Sequence, residues 1–112
     1  MEVTIMSGVE DGLQLNLAVD SGDGLFDGER WILNIGRRED NDICLRHDMF
    51  SSRLHARIHR FEDGWLLEDC DSTNGTFIEI RGEDERISGT IPIQPGELFR
   101  VGRTWMCIEP ET

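Results

Sequence analysis

The chain has 112 residues, 23 acidic side chains against 11 basic ones and a net charge of −12, a balance that disfavours partners held mainly through a polyanionic backbone, so neither DNA nor RNA is expected. The length suits one domain, residues 1–112, burying roughly 65% of its surface on folding. Cys44, Cys70 and Cys107 are an odd count at irregular spacing, which argues against a disulfide framework and for a reducing, cytoplasmic compartment.

The opening "MEVTIMSGVE" lacks the basic and long apolar regions of a signal peptide. No later run approaches the ~18 apolar residues of a membrane span. Apolar residues alternate at Leu13, Leu15, Leu17 and Val19, which predicts a strand with one buried face. The acidic, glycine-rich "DSGDGLFDGE", residues 20–29, reads as a hairpin loop. Alternation resumes at Trp31, Leu33 and Ile35, and again in a strand beginning near Leu54 with Leu54, Ala56 and Ile58 on one face. Between Gly36 and Arg60 the charge inverts: six arginines face four carboxylates, so this window is +2 and the remainder −14. His47, His55 and His59 lie here too, and every basic residue of the chain is Arg, the side chain suited to forked recognition of carboxylate or phosphate. Charge alone allows equally that the window pairs with its acidic surroundings.

Short strands follow in "GWLLEDC", "TFIEI", "GTIPI", "ELFRV" and "TWMCIEP". Within "LLEDCDSTNGTF" the pair Asn74-Gly75 is a hairpin signal, because a type I′ turn needs positive φ at both central residues. Ser72 to Thr76, five small polar residues in a row, exceed what such a turn requires. "RGEDER", residues 81–86, reads as a charged hairpin loop. Pro92 lacks an amide donor and places its strand at an edge. With no sustained helical stripe and about ten short strands, the pattern is all-β and points to an antiparallel β-sandwich.

Cys44, His47, His55 and His59 look superficially like a zinc set, but His55 and His59 fall in a strand-like alternation rather than in a finger's second ligand pair. Gly22 occupies the third ligand position of a calcium loop in residues 20–29, so that loop is expected to be a solvated turn. Ser51 or Ser52 with His55 lacks the flanking glycines of a nucleophile elbow. More coherent is a constellation of three loops. Gly36 lets the backbone bend and is followed at once by Arg37. Ser52 and Arg53 stand just before a strand, and Thr73 and Asn74 lie in the polar run. In a sandwich, alternate connections project from one end, so a guanidinium, a hydroxyl and an amide can meet there as an anion pocket.

The segments "IGRREDNDICL", "SSRLHARI", "GWLLEDCDSTNGTF" and "IQPGELFRVG", in that order across residues 31–102, resemble the forkhead-associated (FHA) domain family. The resemblance implies an eleven-stranded β-sandwich whose loops at one end bind phosphothreonine in a partner protein, a Ser/Thr kinase substrate or the kinase itself, with no cofactor, metal or catalysis. By position, it implies that Arg37, after Gly36, binds the phosphate and that Ser52 donates its hydroxyl to it. Thr73 is a second phosphate-side contact, Asn74 holds the peptide backbone, Arg53 touches the bound residue, and a niche receives the threonine methyl. His55 braces the loops, although simple alternation puts it on the face of Arg57 and His59. On this view Gly75 makes the bend, while the surrounding hydroxyls and the Asn74 amide face a ligand. The chain departs from the family's pattern at Glu79 and the long loop after it, which is expected to alter which flanking residues are read, and in the insertion at 20–29. The alternative is a degenerate FHA-like sandwich serving as a phosphate-independent assembly surface, which is expected to have lost at least one of Arg37, Ser52 and Asn74.

Overall fold

The computed structural model describes residues 1–7 and 11–110, and their strands stack as two six-stranded sheets. The first runs β2 (Gln14–Asn16), β1 (Glu2–Ile5), β12 (Thr104–Ile108), β11 (Phe99–Val101), β8 (Thr76–Ile80), β9 (Glu83–Arg86). The second runs β10 (Thr90–Ile93), β7 (Gly64–Asp69), β6 (Ala56–Phe61), β4 (Trp31–Gly36), β3 (Leu25–Phe26), and the short β5 (Ile43–Cys44) joins β4. Every ladder is antiparallel except β4–β5. The sandwich expected from the alternation is therefore present, with one parallel exception.

Period-two patterning builds the core where both neighbours of a strand are paired. Trp31, Leu33 and Ile35 of β4, Ile58 of β6 and Leu67 of β7 are all buried, and they meet Val3, Ile5, Phe99, Val101 and Met106 from the other sheet. Full burial of each such side chain contributes about 1.5–3 kcal/mol. Pro92 sits in β10, at the sheet edge, where its missing donor costs no ladder bond.

Several local expectations are corrected. The early alternation holds only at Leu15 and Leu17; Leu13 is 43% and Val19 46% exposed, and Val19–Ser21 form a 3-10 turn. Residues 20–29 are more than a loop, since Leu25 and Phe26 pair with Ile32 and Trp31. "RGEDER" contains a strand, β9, turned back on β8 at Arg81 (φ 54°) and Gly82 (φ 81°), the double positive φ of a type I′ hairpin. All four β9 residues are exposed, and their charges blunt an edge that would otherwise invite pairing. Asn74-Gly75 is not a hairpin. β7 and β8 belong to different sheets, so residues 70–75 cross the sandwich, and of the pair only Gly75 has positive φ (89°).

Candidate functional site

Antiparallel order places the end of β4, the start of β6, the end of β7 and the start of β8 at one end of the sandwich. Three loops gather there and are sewn together through the backbone. Arg37 N–H donates to the Ser52 carbonyl at 3.0 Å and Arg38 N–H to the Arg53 carbonyl at 3.3 Å. Asn41 is buried, and its amide donates to the carbonyls of Arg38 (2.8 Å) and Arg53 (2.6 Å). Gly36 serves this closure differently from expectation. Its φ is not positive; a Cβ there would collide with the Arg53 carbonyl and come within 2.9 Å of the Asn41 amide, so glycine is required by close approach rather than by a bend.

His55 is fully buried and links two loops: its Nδ1 accepts the Ser52 N–H at 2.9 Å, and its Nε2 lies 2.8 Å from the Gly75 carbonyl. An acceptor at Nδ1 and a carbonyl opposite Nε2 fix the neutral tautomer with the proton on Nε2. Both nitrogens are thereby committed, leaving none to take a proton from Ser51 or Ser52. The alternation that put His55 beside Arg57 and His59 fails because β6 starts at Ala56, so His55 lies before the strand and turns inward. Burial is the main cause that pushes its pKa below the ordinary value, only partly opposed by the Gly75 carbonyl. The unfolded chain therefore takes up a proton first as pH falls. Stability should be full above about pH 6.5 and decline as pH drops toward the lowered folded pKa. Melting temperatures followed from pH 7.5 to 5 should show this slope, and His55→Gln should flatten it; an unchanged slope in the variant would exclude His55 as its source.

The polar run is divided by direction. Ser72 and Thr76 turn inward, their hydroxyls donating to Asp69 Oδ1 at 2.6 and 2.7 Å, while Ser72 Oγ accepts the Gly75 N–H at 3.0 Å. These hydroxyls build the loop and do not face a ligand. Thr73 and Asn74 are exposed at the rim. Ser52 Oγ accepts the Thr73 N–H at 3.1 Å, which leaves the Ser52 hydroxyl hydrogen able to donate outward. Asn74 Nδ2 donates to the Phe50 carbonyl at 2.9 Å, keeping its carbonyl oxygen and a second N–H for another partner.

Arg37, Arg38 and Arg53 line a hollow of about 290 Å³ at this rim. Arg38 pairs with Asp40. Among the described residues, Arg37 and Arg53 have no carboxylate within ion-pair reach, and the buried Arg37 Nε lacks any hydrogen-bond partner. In a chain of net charge −12, two guanidinium groups without a carboxylate partner make this hollow locally positive.

The five expected contact residues thus share one rim, connected from Arg37 through Ser52 to Thr73 and from Phe50 to Asn74. Sequence reading missed the supports beneath them: Asn41, the Asp69–Ser72–Thr76 cluster and Asp48. Asp48 is buried, and its carboxylate accepts from Phe50 N–H (3.0 Å), Arg103 N–H (2.9 Å) and Thr104 Oγ1 (2.6 Å). The first bond is a local Asx turn visible as Asp-x-Phe; the other two span more than fifty residues and leave no local signal. The long hairpin after Glu79 turns at the opposite end, and only Arg86 returns to the rim, packed against Gly75. The expected effect of that loop on flanking selectivity is therefore confined to Arg86.

The FHA domain family's model matches residues 33–102. The "FHA domain-containing protein FhaB" of Mycolicibacterium smegmatis and that of Mycobacterium tuberculosis are each 32% identical over 76 residues, 68% of this chain and 46% of theirs. The chain thus spans less than half the length of these curated relatives. Among solved structures, the FHA domain of CT664 protein from Chlamydia trachomatis superposes with a TM-score of 0.77 at 23% identity, covering 99% of this chain and 97% of that one. Mycobacterium tuberculosis EmbR, solved in complex with a low affinity phosphopeptide, gives 0.69 at 23% identity, covering 99% of this chain and 25% of EmbR.

Proposed function

The chain belongs to the FHA domain family, and on that premise we propose that its rim binds phosphothreonine in a partner protein, without catalysis. The observation that carries this reading is the pair of unneutralised guanidinium groups, Arg37 and Arg53, in a hollow of an otherwise acidic chain. A phosphorylated residue brings a charge of about −1.5 to −2 and three acceptor oxygens, which suit Arg37 and the outward Ser52 hydroxyl. Thr73 supplies a further phosphate-side contact. Arg53, exposed at the rim, reaches the bound residue. The free half of the Asn74 amide can pair with the backbone of an extended peptide. EmbR's complex with a phosphopeptide supports a phosphopeptide as the class of ligand. The partner is a Ser/Thr kinase substrate or the kinase itself, placing the domain in kinase-dependent assembly.

Calorimetric titration with one peptide in three forms tests the reading. The phosphothreonine form should bind and the unmodified form should not. The phosphoserine form should bind several-fold more weakly, because one buried methyl contributes about 0.8 kcal/mol and β-branching stiffens χ1. Equal binding of the phosphothreonine and unmodified forms would remove the phosphate reading and favour a phosphate-independent assembly surface.

A further inference from the structure

The insertion at residues 20–29 lies at the pole opposite the arginine rim, beside the β6–β7 turn, and builds something the rim does not use. Register across the second sheet aligns Phe26, Trp31, Arg60 and Trp65 in one row near that pole, one pair short of the Phe61–Gly64 end of the β6–β7 ladder. Phe26, Trp31, Phe61 and Val19 floor an open hollow of about 740 Å³. Phe26 remains 55% and Val19 46% exposed, although neither is needed to close the core. Around this floor stand the exposed carboxylates Glu29, Glu62 and Asp63. The one cation of the lining, Arg60, lies 4.4 Å from the Trp65 ring centre and is already engaged.

The wall is held firmly. Gly24 N–H and Asn34 N–H both donate to the Asp42 carboxylate, at 2.7 and 2.8 Å, tying the insertion to β4. The Trp31 indole N–H donates to the Asp23 carbonyl at 2.8 Å, and the Asp27 carboxylate accepts the N–H groups of Glu29 and Arg30, fixing the turn. A preordered apolar floor exposed to water gains free energy when covered, and a ring of carboxylates selects what covers it.

We infer that this pole is a second docking site, for an unphosphorylated segment of a partner protein that places a bulky apolar or aromatic side chain on Phe26, Trp31 and Phe61 and flanking Arg or Lys residues against Glu29, Glu62 and Asp63. Charge complementarity commits the site to this occupant: a phosphorylated segment, or a second copy meeting it through the same acidic pole, would bring like charge to the ring. The site is independent of the rim, so the domain can hold a phosphothreonine at one pole and a basic apolar segment at the other.

A random library of unphosphorylated twelve-residue peptides, selected on the whole chain, tests this directly. Enriched peptides should combine an aromatic or large aliphatic residue with at least two Arg or Lys. Their titration should shift the Trp31 indole resonance and leave Arg37 unmoved. Phe26→Ser and the double variant Glu62→Gln/Asp63→Asn, all at exposed positions, should each weaken binding at least 5-fold while leaving phosphothreonine-peptide affinity unchanged. Raising salt from 50 to 500 mM should weaken it further. No enrichment, enrichment without basic residues, or shifts confined to the arginine rim would overturn the proposal. So would a concentration-dependent dimer abolished by Phe26→Ser, which would assign the hollow to a second copy.

Discussion

Arg37→Ala should reduce phosphothreonine-peptide affinity at least 100-fold while leaving the melting temperature within about 2 °C of wild type. A hydrogen bond to a charged group contributes about 1.5–3 kcal/mol, and a forked guanidinium makes two, so about 3 kcal/mol or more is at stake, which is over 100-fold in affinity. Stability is spared for a specific reason: the guanidinium has no ion-pair partner among the described residues, its Nε is unbonded, and the Arg37 contacts that join the loops run through its backbone. Truncation also relieves repulsion with Arg38 and Arg53, which line the same hollow. Arg37→Lys keeps the charge and loses the fork, so it should fall between the two. Titration calorimetry beside thermal melts decides the matter: an Arg37→Ala protein that binds the phosphopeptide within 3-fold of wild type would remove this residue from the site.

The parts legible in the sequence were those with a short-range cause. Alternation through Trp31, Leu33 and Ile35 reported β4 because successive side chains of a strand point to opposite faces whatever packs on them, and Pro92 reported an edge because a missing donor is a local fact. The rim residues Arg37, Ser52, Thr73 and Asn74 could be located by ordered motifs. What could not be read was direction. The five-residue polar run from Ser72 to Thr76 looks uniform as a sequence, yet Asp69 draws two of its hydroxyls inward and leaves Thr73 and Asn74 outside. Asn74-Gly75 carries the local chemistry of a hairpin, but a hairpin also needs its flanking strands in one sheet, and here they lie in two. His55 was misdirected by extending period two one residue beyond the strand. For the failed hairpin and for His55 the deciding contacts came from other segments, which local pattern cannot report; Asp69 is close in the chain, but residue type alone does not say which hydroxyls it draws inward.

Asp48 is where that distant information has its largest energetic consequence. It holds the segment carrying Ser52 onto the β11–β12 turn: Ser51 N–H and Oγ both donate to the Asp48 carbonyl, and the carboxylate takes three donors from residues 50, 103 and 104. Gly102, at φ 62°, is the near side of the same fit, since a Cβ there would stand 2.7 Å from either carboxylate oxygen. Asp48→Ala strands the Thr104 hydroxyl, which is 4% exposed, and frees two backbone donors that water can partly recover. Leaving buried donors unpaired costs about 1–3 kcal/mol each, so the total should be about 3–5 kcal/mol, or a fall in melting temperature of 10 °C or more. Phosphopeptide affinity should drop as well, because the loop that presents Ser52 loses its anchor; this combined loss contrasts with Arg37→Ala, which affects binding alone. Adding Thr104→Val to Asp48→Ala removes the stranded hydroxyl and should recover part of the stability but none of the binding, since Thr104 is remote from the ligand and the loop stays loose. A single Asp48→Ala variant that melts within 2 °C of wild type would show that water replaces all three bonds and that Asp48 does not position the rim.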